Sequence, residues 1–178
     1  MTTRLLKSQD TQISKNYLAP HMAECMFIGS NLEAAGIDYR GADFEGEYFG
    51  YFNINDQLQG VIIHYWNGNV MMHAQDHDVL DKLIEHFKKI ISRPVAGILG
   101  PNRQADYIIK KLELSDDHFS INRHEGLYEM NLDALYEVHK PSTMRVVPAQ
   151  DVPKDILINW MKSYNNETLG VPDTYDSN

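Results

Sequence analysis

Between residues 47 and 74 the apolar and polar positions follow a strand rhythm, and on either side of that stretch they follow a helical one. Tyr48–Ile54 and Leu58–Trp66 are rich in aromatic and β-branched residues, and Asn55-Asp56 between them fits a hairpin turn. Asn67-Gly68 is a stronger turn signal. A two-residue type I′ turn needs positive φ at both central residues, which Asn and Gly tolerate, so Asn69–Ala74 should return as the third strand of an antiparallel meander. Upstream, Arg4–Lys7 reads as a short strand, and Asp10 is placed to cap the helix that follows. Leu18, Met22, Cys25, Ile28 and Leu32 recur at helical spacing through residues 11–35. Pro20 belongs at the first turn of a helix, so two consecutive helices are expected there. Gly36-Ile37 has the form of a helix stop, with glycine supplying the left-handed residue and isoleucine the apolar contact behind it, and residues 38–45 follow as a loop.

Downstream of the meander, His77–Ile91 places Leu80, Leu83, Ile84, Phe87 and Ile91 on one helical face. Val95–Leu99 is a short, almost wholly apolar run, the pattern of a strand buried on both faces. Pro101 opens another helix to about Leu112, and residues 119–132 carry one or two final strands. The run Tyr48, Phe49, Tyr51, Phe52 reads as sheet core and cross-strand packing. The order predicts an α/β chain of the α+β kind, a mixed, largely antiparallel twisted sheet flanked by helices.

Residues 4–10, Arg-Leu-Leu-Lys-Ser-Gln-Asp, and residues 145–151, Arg-Val-Val-Pro-Ala-Gln-Asp, share a basic residue, two apolar residues and a Gln-Asp that opens a helical stretch. The match points to a duplication. Met144–Ala149 would be the first strand of the second copy. From Asp151, the residues Val152, Ile156, Trp160 and Tyr164, with Leu157 and Met161 beside them, make an amphipathic helix of about four turns. An isolated strand and helix cannot bury Trp160, Met161 and Tyr164 alone, so docking on the first domain or on another chain is expected. The resulting division is a first domain over 1–140, an incomplete second unit over 141–169 and a disordered tail over 170–178.

Composition narrows the functional classes. A formal charge of -9 argues against a phosphate-backbone binder, so nucleic acid is not an expected partner. No apolar run approaches the ~18 residues that span a bilayer, which removes the membrane as well. The single cysteine, Cys25, excludes an internal disulfide, and with no signal-peptide pattern at the start a reducing cytoplasm is expected. Cys25 sits on the apolar stripe of its helix with no cationic neighbour in sequence, the setting of a packed thiol. His73, His77, Asp76 and Asp78 offer metal-capable atoms, but their spacing matches no common zinc motif, and no metal is expected. Ser30, Ser92 and Ser115 lie in no nucleophile-elbow context.

The order of elements resembles the GNAT N-acetyltransferase superfamily over most of residues 4–132. It looks most like the degenerate N-terminal domain of a tandem GNAT protein, and Arg93-Pro-Val-Ala-Gly-Ile-Leu-Gly-Pro-Asn-Arg-Gln104 has the look of such domains. The resemblance implies acetyl-CoA as cofactor, held in active members by a turn of the form Gln/Arg-x-x-Gly-x-Gly/Ala. Free backbone N–H groups at a helix start cradle the pyrophosphate there, and glycine lets the backbone come close. The matching residues in this chain are His73-Ala-Gln-Asp-His-Asp-Val79, with no glycine and with Asp76 and Asp78 where the pyrophosphate would sit. Helix capping is the plainer role for either aspartate.

Where active members resemble Asn-x-x-Ala-x-x-x-Tyr-x-x-Leu-Gly-Phe, this chain keeps Asn102, Ala105 and Leu112 but has Ile109 at the Tyr position and Glu113-Leu114 for Gly-Phe. Tyr107 cannot stand in, because two residues along a helix rotate the side chain by about 200°. Asn102 and Gln104 either line a cofactor groove or make local turn and cap bonds. Tyr164 and Glu167 would face the acceptor-substrate cleft only within a complete second domain. No catalytic residue is assigned. The expectation is the non-catalytic half of an acyl-CoA-dependent N-acyltransferase with a degenerate CoA site, partnered by a second GNAT domain or by another copy in a homodimer. The alternative is a standalone, non-catalytic binding or dimerisation module of the same shape.

Overall fold

In the computed structural model of the protein, residues 1–134, 143 and 145–170 are described, and the chain divides into two compact units, Met1–Glu129 and Met130–Asn178. The first unit is an α+β fold. Its strands are β1 (Thr2–Leu5), β2 (Gly46–Phe52), β3 (Leu58–Tyr65), β4 (Asn69–Ala74) and β5 (Gly97–Leu99), and its helices are α1 (Thr11–Leu18), α2 (Met22–Ala35), α3 (His77–Ile90) and α4 (Asn102–Lys111). The strands form one open sheet in the order β1-β2-β3-β4-β5. Every pairing is antiparallel except β4 with β5.

The central strand β3 is buried on both faces from Val61 to Tyr65, because helices cover the sheet on each side. On one face Leu18, Cys25, Ile28 and Leu32 of α1 and α2 meet Tyr48, Phe52 and Ile63. On the other, Leu80, Leu83, Ile84 and Phe87 of α3 meet Phe49, Ile62 and Met72. The aromatic run of β2 thus divides by alternation, and the Tyr48 and Tyr65 hydroxyls satisfy one another at 3.1 Å inside the core. Each large apolar side chain of α3 contributes about 1.5–3 kcal/mol by leaving water. Gly60 allows the helix to lie close, since a Cβ there would stand 2.7 Å from Val79 Cγ1.

Several local expectations change. Asp10 does not cap α1 forward. Its carboxylate turns back to accept the Lys7 N–H at 2.9 Å and both terminal nitrogens of Arg4 at 2.7 Å, so it ties the strand exit to a 3-10 turn over Ser8–Asp10. A charged fork six residues away outcompetes the neutral N–H groups of the next turn. The β3–β4 connection is not a type I′ turn: only Gly68 has positive φ, at 82°. Asn67 uses its carboxamide oxygen to accept the Asn69 N–H at 3.1 Å, and the Gly68 N–H closes on Tyr65 O at 3.0 Å. Pro20 falls in a 3-10 turn, Ala19–His21, that separates α1 from α2, and Gly36 ends α2 at φ 78°. Arg93 donates to Tyr65 O, His64 O and Glu47, which makes it a strut for the sheet end.

The run Val95–Leu99 is not a strand buried on both faces. Only Gly97–Leu99 pairs, along Asn69–Met71 of β4, and it forms the sheet edge with Leu99 40% exposed. The final strands expected over 119–132 are absent as well. Residues 119–131 have no regular structure, Leu132–Ala134 is a 3-10 turn, and Ile121, Leu127, Tyr128, Met130 and Leu132 are exposed. Alternating apolar positions fit a strand but do not make one, because the backbone must also find a pairing edge.

In the second unit a 3-10 turn covers Ala149–Asp151, and α5 (Lys154–Tyr164) leads into a π-helical turn at Asn165–Leu169 that ends on Gly170 at φ 64°. The strand expected over Met144–Ala149 is not formed: Arg145–Pro148 is irregular, and Met144 lies outside the described residues. Pro148 lacks the N–H that a strand end would donate. Both Gln-Asp motifs lie in 3-10 turns, Ser8–Asp10 and Ala149–Asp151. Trp160, Met161 and Tyr164 are largely exposed. The tail expected over 170–178 lies outside the described residues beyond Gly170. Among the described residues no helix is long and apolar enough to cross a membrane.

Candidate functional site at the end of the fourth strand

β5 covers only the first half of β4. Asn69, Val70 and Met71 pair with Gly97, Ile98 and Leu99, and β4 then runs on through Met72–Ala74 without a strand on that side. The chain leaves at Gly100, where a Cβ would stand 3.2 Å from Met72 O, and Pro101 starts α4. Gln104 sits one turn into that helix and reaches back to β4. Its Oε1 accepts the Ala74 N–H and its Nε2 donates to Ala74 O, both at 2.9 Å. Of the two roles open to Gln104 from sequence, it performs neither a local cap nor a free groove contact alone; it bridges two elements thirty residues apart.

His73, one residue earlier, points to the opposite face. Its Nδ1 is 2.7 Å from the Tyr17 hydroxyl, its Nε2 is 3.3 Å from the Glu24 carboxylate, and its ring lies 4.3 Å from that of His21. Burial holds His73 below the usual imidazole range, His21 adds to this, and Glu24 opposes it. A neutral ring with the proton on Nε2 donates to Glu24 and accepts from Tyr17. Burial also pushes the Tyr17 hydroxyl up, so it stays protonated. Glu24 is the exposed end of this chain of contacts. It borders a groove of about 500 Å³ lined also by Gly100, Pro101, Asn102, Arg103, Gln104, Glu125 and Leu127. Asn102 and Gln104 therefore share one groove. Tyr164 and Glu167 are in the second unit, at the end of α5 and in the turn after it.

No family model, no curated protein and no solved structure matches this chain.

The turn His73–Val79 has the chemistry of a helix start. Asp76 accepts the Val79 N–H at 2.8 Å and caps α3, and Asp78 lies in the first turn. A second groove of about 450 Å³ beside it is lined by Asp76, Asp78, Asp81 and Lys82, with Tyr51, Asn53, Gln59, Val79 and Met1. Asp76 and Asp78, with Asp81 already paired to Lys111, leave it acidic and a poor seat for an anion. Tyr107 faces this side, as its helical position requires: it stacks on His77 at 4.5 Å and donates to Asp81, which also pairs with Lys111 at 2.9 Å. The Lys111 bond holds the Asp81 carboxyl below its usual range. Among the described residues no three His, Cys, Asp or Glu side chains converge on a common point as a metal would require. Cys25 is buried, and desolvation pushes its thiol up to about 12.

Sequence reading missed Tyr17, His21 and Glu24. Their spacing places all of them near one face across the α1–α2 junction, a signal that the sequence does hold. What it does not hold is the partner, because His73 comes from a strand fifty-six residues beyond Tyr17.

Proposed function

We propose that this chain is a GNAT-like module that does not carry out acyl transfer, the non-catalytic half of an acyl-CoA-dependent N-acyltransferase whose CoA site has degenerated. The reading is supported by the place of the one parallel pair among the described residues: β4 and β5 lie side by side for three residues, β5 then ends, and α3 follows β4 while α4 follows β5. The resemblance implies that an acyl-CoA arm would enter between such strands. The observation that carries the non-catalytic reading is Gln104, whose carboxamide occupies the Ala74 N–H and C=O beyond the end of β5. Asp76 and Asp78 add to it, since each carboxylate held near 4 Å from a phosphate costs about 1–4 kcal/mol between bulk-water and surface screening. The partner in this reading is a second GNAT domain, which would bring the acetyl-CoA and the acceptor site. The single cysteine suits a reducing cytoplasm as its setting.

Calorimetric titration of the chain with acetyl-CoA tests the reading. No saturable heat is expected up to millimolar ligand, and micromolar binding would overturn it. A second reading, a homodimerisation module, is favoured by α2, whose outer face exposes Met22, Met26 and Phe27 at 43, 46 and 58%. A helix apolar on both sides is usually covered. Sedimentation equilibrium decides this: the monomer mass at every concentration removes it.

A further inference from the structure

At the corner between α1 and α2 a buried imidazole is covered by a segment that is itself mostly exposed. His73 is 4% exposed. Against it lies the corner 19–24, in which Ala19, Pro20, Met22, Ala23 and Glu24 face solvent and His21 is half-buried. The corner turns polar groups inward. The His21 ring is 4.3 Å from that of His73 and 5.6 Å from that of Tyr17, and the Glu24 carboxylate is 3.3 Å from His73 Nε2. The backbone is broken on both sides of the turn that carries Glu24. His21 (φ -116°, ψ 17°) and Cys25 (φ -110°, ψ 16°) are non-helical, so Met22–Glu24 is set off from α1 and from the rest of α2. Hinges of this kind absorb a change of φ and ψ at a few residues, and the turn can swing without unwinding either helix.

The titratable groups that face His73 are Tyr17 from α1, His21 from the corner and Glu24 from α2. Cys25 acts on Tyr17 in turn, and Arg103 and Glu125 share the groove that Glu24 borders. From β3 come only Val61, opposite His73, and the neutral Gln59 carbonyl. A second proton on the ring goes to Nδ1, which faces the Tyr17 hydroxyl. That hydroxyl answers by turning its own proton to Gln59 O at 3.0 Å, so the contact with α1 survives. The corner has no such adjustment. Burial opposes the charge most, His21 adds to it, and Glu24 favours the charge through an exposed carboxylate. Lifting the corner admits water to the ring and removes His21 in one movement. We propose that the corner 19–24 is an acid-released latch over His73, closed while the imidazole is neutral and lifted into solvent when the ring takes up its second proton. A ring held below its ordinary range in the closed form binds that proton more readily in the open one, so falling pH draws the corner open. Opening also takes Glu24 off the wall of the groove. The latch does not depend on the acyl-transfer reading.

Native-state hydrogen exchange tests the latch. The amides of Cys25 and Met26, by which α2 first closes on the corner, are compared with that of Ile62 in the core of β3, as protection factors corrected for intrinsic exchange. Between pH 7.5 and 5.0 the Cys25 and Met26 factors are expected to fall about tenfold, and at most about thirtyfold, the limit for one imidazole that titrates near ~6.5 when open. The fall should be the same in ~1 M urea, because a local opening exposes little surface, whereas the Ile62 factor drops with urea. His73→Gln should reduce the fall to less than about twofold, and His64→Gln, which alters a ring packed on Phe87 of α3, should leave it in place. Glu24→Gln, at an exposed position, should steepen it by removing the group that favours the charged ring in the closed form. Factors that stay level with pH, a fall that shares the urea dependence of Ile62, or a fall that survives His73→Gln would each overturn the latch. If His73→Gln does not fold, Glu24→Gln decides: a fall no steeper than in the wild type overturns it.

Discussion

Replacing Gln104 by alanine gives the most direct energetic check on how the end of β4 is closed. The side chain makes two neutral hydrogen bonds to Ala74, both 2.9 Å long. Each contributes about 0.5–1.5 kcal/mol net, so the pair is worth roughly 1–3 kcal/mol. Ala74 itself is only 4% exposed, which by itself would push the loss toward the upper end, since a buried N–H and C=O would be left without partners. The adjoining groove offsets this by admitting water to the vacated position, so the expected loss is about 1–2 kcal/mol. For a unit of this size each kcal/mol lowers Tm by roughly 3–5 °C. Urea unfolding followed by circular dichroism should therefore show a lower midpoint at unchanged slope. Gln104→Glu should lose more at neutral pH, because a carboxylate accepts from Ala74 N–H but stands against Ala74 O without a proton to donate. A midpoint for Gln104→Ala within about 0.3 kcal/mol of the wild type would show that the bridge contributes nothing, and the account of the closed cleft would lose its basis.

Other consequences are as specific. Asp10→Ala should cost about 2–3 kcal/mol in urea unfolding, because it removes a bidentate charged pair and a backbone cap at once, whereas Asp151→Ala, at the exposed aspartate of the second Gln-Asp motif, should change stability by less than about 0.5 kcal/mol. Stability should fall as pH drops below about 6.5, since burial holds His73 and His64 below the usual imidazole range and the unfolded chain then takes protons that the folded chain refuses. The slope is at most about 1.4 kcal/mol per pH unit for each histidine, and His73→Gln should flatten it; an unfolding midpoint that is unchanged between pH 7.5 and 5.5 refutes this. The lowered carboxyls of Asp10, Asp81 and Glu45 act only at more acidic pH, so they do not enter that window. Cys25, with its thiol pushed up to about 12, should react with iodoacetamide at pH 7.5 only in urea, and labelling of the native chain at the rate of free cysteine would contradict its packing.

The elements legible from the sequence were those whose periodicity is local. The helix α3 announces itself through Leu80, Leu83, Ile84 and Phe87, and the meander through its aromatic alternation and the Gly68 turn. The errors arise where a pattern must be answered by something distant. Residues 119–132 alternate as a strand does, yet the edge left open by the short β5 is not paired with them. Asp10 departs for a nearer reason: the capping rule points its carboxylate forward, while the Arg4 guanidinium six residues earlier draws it back. Asn102 and Gln104 stand out in the sequence as a pair, but nothing there distinguishes the residue that reaches across to Ala74 from its exposed neighbour. The same holds for His73, whose neighbours Tyr17, His21 and Glu24 come from the other end of the unit.

The measurement that bears most directly on the closed cleft is the backbone amide resonance of Ala74, followed by proton–nitrogen correlation NMR during titration with acetyl-CoA and then in deuterated buffer. The account predicts an amide that exchanges slowly and does not shift at millimolar ligand, because its proton is already held by Gln104. A saturable shift of that resonance, or exchange at the rate of an open strand edge, would contradict it.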